Sequence, residues 1–282
     1  MFSASSGSKI TKNSALLGDG GVVFSFLGSS SVQVSYSSVF SGNQASFGGV
    51  AASYRGDLVI SSTHSSSIIN NSALDHGGVA YVAGTSYRLQ MAIDNSEVSF
   101  NSARSSGGVA YSAGVITLDF VDSNISQNSA YASGGVAFSG LGATVSTNGS
   151  SIESNIAFEG NGGILSNTQG LCYIKLFDTV VLNNSASGDG GAYFAQGMLT
   201  AEATTSLVNG NTAGGSGGVF SSRKAINVRI TQSLISSNKA IGGDGGVTSL
   251  VSRCDLCSFQ HQHSVGQLCG SWFRWGSLFR YR

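Results

Sequence analysis

The sequence predicts an all-β protein built as a right-handed parallel β-helix. A short motif recurs at nearly constant spacing through most of the chain, and the stretches between its copies alternate between apolar and polar residues. Pro is absent from all 282 residues, as expected where most strands must donate backbone hydrogen bonds to a neighbour. These three observations favour a stack of similar coils over a globule with one centre.

The repeated motif runs from an apolar residue, three positions before an Asn, to a Gly pair. Ala follows two residues after each Asn, and Val, Ile or Ala follows each Gly pair. Successive Gly pairs start 27 to 30 residues apart, which is the signature of a stacked repeat. The nine Asn residues are Asn13, Asn43, Asn71, Asn101, Asn128, Asn155, Asn184, Asn211 and Asn238. The nine Gly pairs begin at Gly20, Gly48, Gly77, Gly107, Gly134, Gly162, Gly190, Gly217 and Gly245.

Each repeat contains three strand-sized apolar stretches, such as residues 109–114, 115–121 and 124–126 in one copy. Their alternation has the period of a strand and not of a helix. A unit this small cannot bury a core alone, but it can do so when it stacks on its copies. We therefore expect about nine coils of about 28 residues, with three short strands in each coil. Such a stack is a rod on the order of 40 Å long.

The fixed positions have expected roles in such a coil. The apolar residues at both ends of the motif should point inward. The Asn should stand at a corner, where an Asn can tolerate left-handed geometry and can bond to its copies along the rod. The Ala fits a tight corner, and the Gly pair allows positive φ and close approach of neighbouring coils. We also expect inward aromatic side chains two positions after the Val, at Phe24, Tyr81, Tyr111, Phe138 and Phe194.

Composition narrows the class of function. The formal net charge is zero and 10% of residues are charged, which argues against a nucleic-acid partner because phosphates require a basic face. Gly is frequent, with 40 residues, but 41% of residues are hydrophobic, which favours an ordered β protein over a disordered chain. The sequence shows neither a secretory signal nor an apolar stretch long enough to span a bilayer as a helix.

The paired motifs resemble the repeats of the chlamydial polymorphic outer-membrane proteins, which carry G-G-A-[ILV] and F-x-x-N signatures. Phe40 to Asn43 has the strict F-x-x-N form, and Ile or Val replaces Phe in the other copies. Ala follows the Gly pair only at Ala192. The match covers roughly residues 8 to 249 and lies within the broader class of right-handed β-helix repeats. The resemblance implies a secreted or surface-exposed, outer-membrane-associated passenger that mediates adhesion.

Two regions are expected. Residues 1–249 are expected to form the repeat domain. Because the sequence begins inside a coil without a polar capping segment, we expect either that a cap is missing or that the domain is a fragment of a longer array. Residues 250–282 form a tail outside the repeat, either poorly ordered or acting as a cap. The tail contains Cys and His residues suited to a tetrahedral zinc site, although their spacing matches no standard finger. There are two alternatives to a zinc site: the tail is a cap that contains a disulfide, or its sequence departs from the true reading frame. The candidate ligands are Cys254, Cys257, His261, His263 and Cys269.

Some parallel β-helices cleave polysaccharides, so paired carboxylates are a candidate catalytic site. The pairs closest in sequence are Asp119 with Asp122 and Asp94 with Glu97. Neither pair has a basic residue at the same position of the next coil. We interpret them as solvated residues of the outer face.

Other polar candidates favour structural roles. The G-D-G-G sequences at Asp19, Asp189 and Asp244 are not in adjacent coils, which favours turn caps over calcium ligands. We interpret His64 and His76 as surface residues and Cys172 as buried packing. Possible N-glycosylation sequons begin at Asn70, Asn124, Asn148 and Asn183.

The sequence therefore predicts a non-enzymatic, surface-exposed or secreted repeat protein, adhesin-like or a structural spacer, with no cofactor. A cell-surface or polysaccharide ligand is the expected kind of partner. The alternative is a carbohydrate-active enzyme or a glycan-binding β-helix. Acidic or aromatic residues aligned over adjacent coils on one outer face would favour this alternative. Local function should belong to residues that vary between copies.

Overall fold

The computed structural model describes residues 1–250 and the backbone of the strand Leu256–Gln260. Within these residues the protein is a parallel β-solenoid of nine coils without a helix. Every strand pairs in parallel with the equivalent strand of a neighbouring coil, as Tyr111 does with Tyr81 and Phe138. The predicted all-β solenoid is confirmed.

The strands form four sheets, named A to D in the order in which each coil meets them. Sheet A consists of Phe2–Ala4, Ser30–Val34, Leu58–Ser62, Arg88–Asp94, Val115–Val121, Gly142–Asn148, Leu171–Phe177, Met198–Thr204, Ala225–Thr231 and Leu256–Gln260. Sheet B consists of Lys9–Thr11, Val39–Ser41, Ser67–Ile69, Glu97–Ser99, Asn124–Ser126, Ser151–Glu153, Val180–Leu182, Leu207–Asn209 and Leu234–Ser236. Sheet C consists of Ser14–Ala15, Gln44–Ala45, Ser72–Ala73, Ser102–Ala103, Ser129–Ala130, Ile156–Ala157, Ser185–Ala186, Thr212–Ala213 and Lys239–Ala240. Sheet D consists of Val23–Leu27, Ala51–Arg55, Ala80–Val82, Ala110–Ser112, Ala137–Ser139, Leu165–Asn167, Tyr193–Ala195, Phe220–Ser222 and Thr248–Leu250.

Each coil holds four strands, one more than the sequence predicted. The additional strand belongs to sheet C and is two residues long, as at Ser102–Ala103. Two residues are too few to show an alternating pattern, so no periodicity marks this strand in the sequence. The predicted domain boundary at residue 249 falls inside the strand Thr248–Leu250, and Leu256–Gln260 adds a tenth strand to sheet A.

The core is a continuous column of apolar side chains inside the coils. Sheet A contributes alternate residues, such as Ile116, Leu118 and Phe120 on one strand. Sheet B contributes the residue three positions before Asn, which is buried from the second to the eighth coil as predicted: Phe40, Ile68, Val98, Ile125, Ile152, Val181 and Val208. Because each coil buries its core against its neighbours, the stack and not the single coil is the stable unit.

The aromatic side chains expected in the core lie mostly outside it, which corrects the sequence prediction. Two consecutive residues, Val79 and Ala80, donate backbone hydrogen bonds to the same carbonyl oxygen of Val109, at 2.8 and 2.9 Å. This bulge leaves both residues buried and shifts the alternation that follows, so that Val82 is buried and Tyr81 points outward. The outward position is shared by Phe24, Tyr111 and Phe138, whereas Phe194 is buried.

The Asn residues form a hydrogen-bonded column at the corner between sheets B and C. Asn128 Oδ1 accepts from the backbone N–H and from Nδ2 of Asn101, both at 3.0 Å. Asn128 Nδ2 donates to Asn155 Oδ1 at 3.0 Å and to the carbonyl of Val98 at 2.9 Å. The same side-chain contact links each neighbouring pair from Asn13 to Asn238, as predicted.

The left-handed geometry that an Asn can tolerate at this corner falls on the residue before it. The residue before each Asn has a φ between 53° and 68°, from Lys12 to Ser237. The Asn itself leads directly into the sheet C strand, so the preceding residue has to make the turn.

A second polar column lies at the corner between sheets A and B. Ser123 Oγ donates to the carbonyl of Val121 at 2.6 Å and accepts the backbone N–H of Ser96 at 3.2 Å. The same hydroxyl therefore makes a hydrogen bond within its own turn and another to the preceding coil. All nine copies carry Ser or Thr at this position: Ser8, Ser38, Ser66, Ser96, Ser123, Ser150, Thr179, Ser206 and Ser233.

The Gly pairs serve both predicted purposes. The first Gly of each pair has a φ between 61° and 76°, a region that side chains disfavour. The second Gly lies against the next coil, and a Cβ added at Gly108 would overlap the carbonyl oxygen of Gly135. The two glycines therefore keep the coils in close contact.

Candidate binding face on sheet D

Five aromatic rings form a continuous row on the outer side of sheet D, across the first five coils. Four of them occupy the outward position described above. The second coil has Ala52 there, and Tyr54 from the same strand fills the gap. From Phe24 through Tyr54, Tyr81 and Tyr111 to Phe138, successive ring centroids are 5.9, 6.0, 5.3 and 5.1 Å apart. The row follows the rod axis for four coil steps, roughly 20 Å.

Three further rings widen the row. Phe26 stacks beside Tyr54 at 6.1 Å, Phe47 packs on Tyr81 at 4.7 Å, and His76 stacks on Tyr111 at 4.1 Å. Phe24 and Phe26 are 50% and 55% exposed, and the other rings are partly buried. Contiguous exposed aromatic surface of this kind marks interaction sites. We call this surface the aromatic face: Phe24, Phe26, Phe47, Tyr54, His76, Tyr81, Tyr111 and Phe138.

His76 begins a third polar column, which occupies the position before the Gly pair in the third to ninth coils, from His76 to Asp244. Its Nδ1 accepts the backbone N–H of Ser106 at 3.3 Å, and its Nε2 lies 3.3 Å from Asp75 Oδ1. The imidazole is therefore fixed between the next coil and a carboxylate, which is more than the surface role expected for it. Asp189 acts in the same way, because its Oδ1 accepts the backbone N–H of Ser216 at 2.8 Å. This bond to the next coil corrects the expectation that Asp189 caps its own turn.

Two carboxylates, Asp19 and Asp75, border the aromatic face. Burial raises the pKa of Tyr54, and the neighbouring Asp19 raises it further. Burial is also the main cause that raises the pKa of Tyr81 and of Tyr111, and Asp75 contributes to both. Tyrosine hydroxyls keep their protons at neutral pH even at the ordinary pKa of about 10, and these shifts leave that unchanged. Burial lowers the pKa of His76, and Asp75 opposes part of that effect.

Phe24, Tyr54 and Tyr81 meet edge to face, whereas the last three rings of the row cover one another's faces. Tyr81 and Tyr111 are stacked with 19° between their planes, and Tyr111 and Phe138 with 3°. A stack along the rod axis presents ring edges and hydroxyl groups sideways to solvent, and ring edges carry partial positive charge. The face therefore combines apolar edges with hydrogen-bonding groups.

The carboxylates weighed as catalytic pairs lie away from the aromatic face. Asp94 and Asp119 are exposed on the outer side of sheet A, and Asp122 occupies the following turn with a φ of 46°. Glu97 on sheet B accepts a hydrogen bond from Ser99 Oγ at 2.5 Å. Each of these acids has a position on an outer surface or turn that needs no catalytic role to explain it.

The candidate metal ligands of the tail have no described site. Cys257 lies in a strand of which the backbone alone is described, and Cys254, His261, His263 and Cys269 lie outside the described residues. Within the part of the chain that the structure describes, no group of three or more His, Cys, Asp or Glu is placed to hold a metal ion.

The remaining candidates are scattered. His64 stacks on Tyr36 at 4.4 Å, at the corner between sheets A and B. Cys172 is buried in the core, and burial raises its pKa to about 12. The four sequon residues are all exposed: Asn70, Asn124, Asn148 and Asn183.

Comparison with known proteins finds no relative of this chain. No protein-family model, no curated protein and no solved structure matches the chain. Among the described residues, no helix has the length and hydropathy needed to cross a membrane. The stacked coils do support the broad class of β-helix repeats to which the motifs point.

Sequence reasoning missed the aromatic face as a surface. It placed Tyr81 and Tyr111 in the core, and it did not connect Phe47, Tyr54 and His76 with them. The available signal was the offset from the Gly pair, because Phe47 and His76 both directly precede one. The Ser and Thr column was equally visible as a fixed residue type at a fixed offset.

Proposed function

We propose that the protein is a non-enzymatic, surface-exposed or secreted β-solenoid that works as an adhesin-like binding rod, with the aromatic face as its binding surface. The observation that carries the proposal is the continuous row of five rings across five coils. Residues common to all copies hold the coils together, and the row is built from residues that vary between copies. Variation on a fixed scaffold is how solenoids generate binding surfaces.

The resemblance to the passengers of chlamydial polymorphic outer-membrane proteins supports the same role. Those passengers are surface-exposed adhesins, and the F-x-x-N and Gly-pair motifs are the shared elements. Under this proposal the polar columns make the rod stiff enough to act also as a spacer between the binding face and the surface that carries it.

Binding of the purified full chain to cells and to immobilised matrix components tests the proposal. The informative variant is Tyr81→Ser with Tyr111→Ser, which removes two neighbouring rings and so interrupts the row. Tyr173→Ser, on the outer side of sheet A, is the matched control. Loss of binding in the double variant alone supports the proposal, and equal binding by all three proteins contradicts it.

The non-enzymatic part of the proposal has its own test. Purified protein incubated with pectin, alginate and related polymers should release no product. Turnover that is lost in Asp119→Asn or Asp94→Asn would contradict the proposal and support the carbohydrate-active alternative.

A further inference from the structure

We propose that the ligand of the aromatic face is a neutral polysaccharide that lies along the rod axis. This inference rests on the proposed binding function and adds the chemical class of the partner. The row of rings extends for roughly 20 Å, since it spans four coil steps. A linear polymer that runs along the rod can contact every ring of such a row.

Hydrogen-bonding groups line the row. Among the described residues, the hydroxyls of Tyr81 and Tyr111 have no protein hydrogen-bond partner and are not buried unpaired groups. Both hydroxyls are protonated at neutral pH, as tyrosine hydroxyls ordinarily are, so each can donate as well as accept. Asp19 and Asp75 add acceptors beside them. A ligand that carries hydroxyl groups at every repeat matches this arrangement.

The stacking of the rings disfavours an apolar peptide as ligand. Tyr111 has Tyr81 on one face, at 5.3 Å, and Phe138 on the other, at 5.1 Å. An apolar side chain would find ring edges in place of open ring faces, and its contact would leave the tyrosine hydroxyls without partners. Burying an unpaired hydroxyl is unfavourable. A sugar chain avoids this because it brings donors and acceptors along with its C–H groups.

The charges bordering the face favour a neutral polymer. Asp19 and Asp75 oppose the approach of a polyanion, since like charges are unfavourable at short range. Arg55 lies at one end of the face, with its guanidinium 5.7 Å from the ring centroid of Phe26. A polycation would need open ring faces for cation–π contacts. Tyr111 is covered on both faces by Tyr81 and Phe138. Arg55 already lies over the face of Phe26, and Asp75 already contacts His76.

The test uses the full chain with polymers of known composition. Hydroxyethyl cellulose, laminarin and pullulan are the neutral probes, polygalacturonate is the anionic probe and poly-L-lysine is the cationic probe. Isothermal titration or affinity electrophoresis should show binding to at least one neutral polymer and weaker binding to both charged ones. The variant Tyr81→Phe with Tyr111→Phe removes two hydroxyls and keeps the rings, and we expect at least tenfold weaker binding. Tyr173→Phe removes a hydroxyl that donates to Glu202 on sheet A, and it should bind as the unmodified protein does.

Three results would overturn the inference: no binding to any neutral polymer, tighter binding to either charged polymer, or equal affinity of the double Phe variant and the unmodified chain. Circular dichroism and the melting temperature check that each variant is folded. If the unmodified chain binds cells or matrix components but no neutral polymer, the polysaccharide inference fails and the proposed binding function stands. If cell binding is also indifferent to Tyr81→Ser with Tyr111→Ser, the proposed function fails as well.

Discussion

Replacement of Asn128 by Ala tests the column of Asn side chains that ties the coils together. The substitution removes Oδ1, which accepts two hydrogen bonds from Asn101, one from its backbone N–H and one from Nδ2. It also removes the Nδ2 donor from Asn155 Oδ1 and from the carbonyl of Val98. Asn101 and Asn155 are both fully buried, so water cannot replace the lost partners without opening the stack.

The expected loss of stability follows from the two donors of Asn101 that remain buried without an acceptor. Each buried group left unpaired costs about 1–3 kcal/mol, so the free energy of unfolding should fall by about 2–6 kcal/mol. Urea denaturation of the full chain measures the total change. Hydrogen exchange locates it, because solenoid stability is a sum over coils and their interfaces and the coils around Asn128 should open first.

A matched control lies in the same coil. Asn124 is exposed on sheet B, and Asn124→Ala should change the free energy of unfolding by less than about 0.5 kcal/mol. Equal stability of the two variants, or faster exchange spread evenly over all coils, would refute the argument that the Asn column holds the stack together.

Three further predictions concern single positions. Gly108→Ala should lower the free energy of unfolding by about 1–3 kcal/mol, as overpacking does, because the added Cβ would overlap the backbone of the next coil. Gly142→Ala is the control: its added Cβ would have its nearest neighbour at 3.4 Å, so urea denaturation should show almost no change. Burial raises the pKa of Cys172 to about 12, so at about pH 8 the thiolate fraction is on the order of one in ten thousand and iodoacetamide should label it slowly. Mass spectrometry that finds the Cys172 peptide labelled as fast in native as in denatured protein would contradict this. The pKa of His76 is lowered in the folded protein. Between that pKa and the ordinary value the unfolded chain binds more protons, so stability falls as pH falls. From about pH 7 to 5 the melting temperature of His76→Gln should therefore fall less than that of the unmodified chain, and equal falls would be evidence against this account.

The fold was predictable because the repeat satisfies several rules at once. The apolar residue before each Asn, the Ala after it and the Gly pair each fix one feature of the coil, and all nine copies agree. The two-residue strand of sheet C was not predictable, because two residues carry no period. The outward position of Tyr81 was not predictable either, since it depends on the bulge at Val79 and Ala80, where two backbone N–H groups share one carbonyl.

The candidate site lay beyond the reach of sequence patterns for a related reason. Tyr54 takes the place that Ala52 leaves empty, and Phe47 packs on Tyr81 of the next coil. Such contacts join residues that occupy different positions of the motif, so a motif alignment does not bring them together. The stacking of the coils, with a neighbour every 4.7–4.9 Å or so, is what assembles them into one surface.

The central claim is that the shared residues build the rod and that the aromatic face binds the ligand. Hydroxyl-radical footprinting of the full chain, with and without the neutral polymer that binds best, tests this claim directly because each tyrosine is read separately by mass spectrometry. We expect the ligand to lower the oxidation of Tyr54, Tyr81 and Tyr111, and to leave unchanged that of Tyr173, which is exposed on the outer side of sheet A. Protection of Tyr173 without protection of Tyr81 and Tyr111 would contradict the claim.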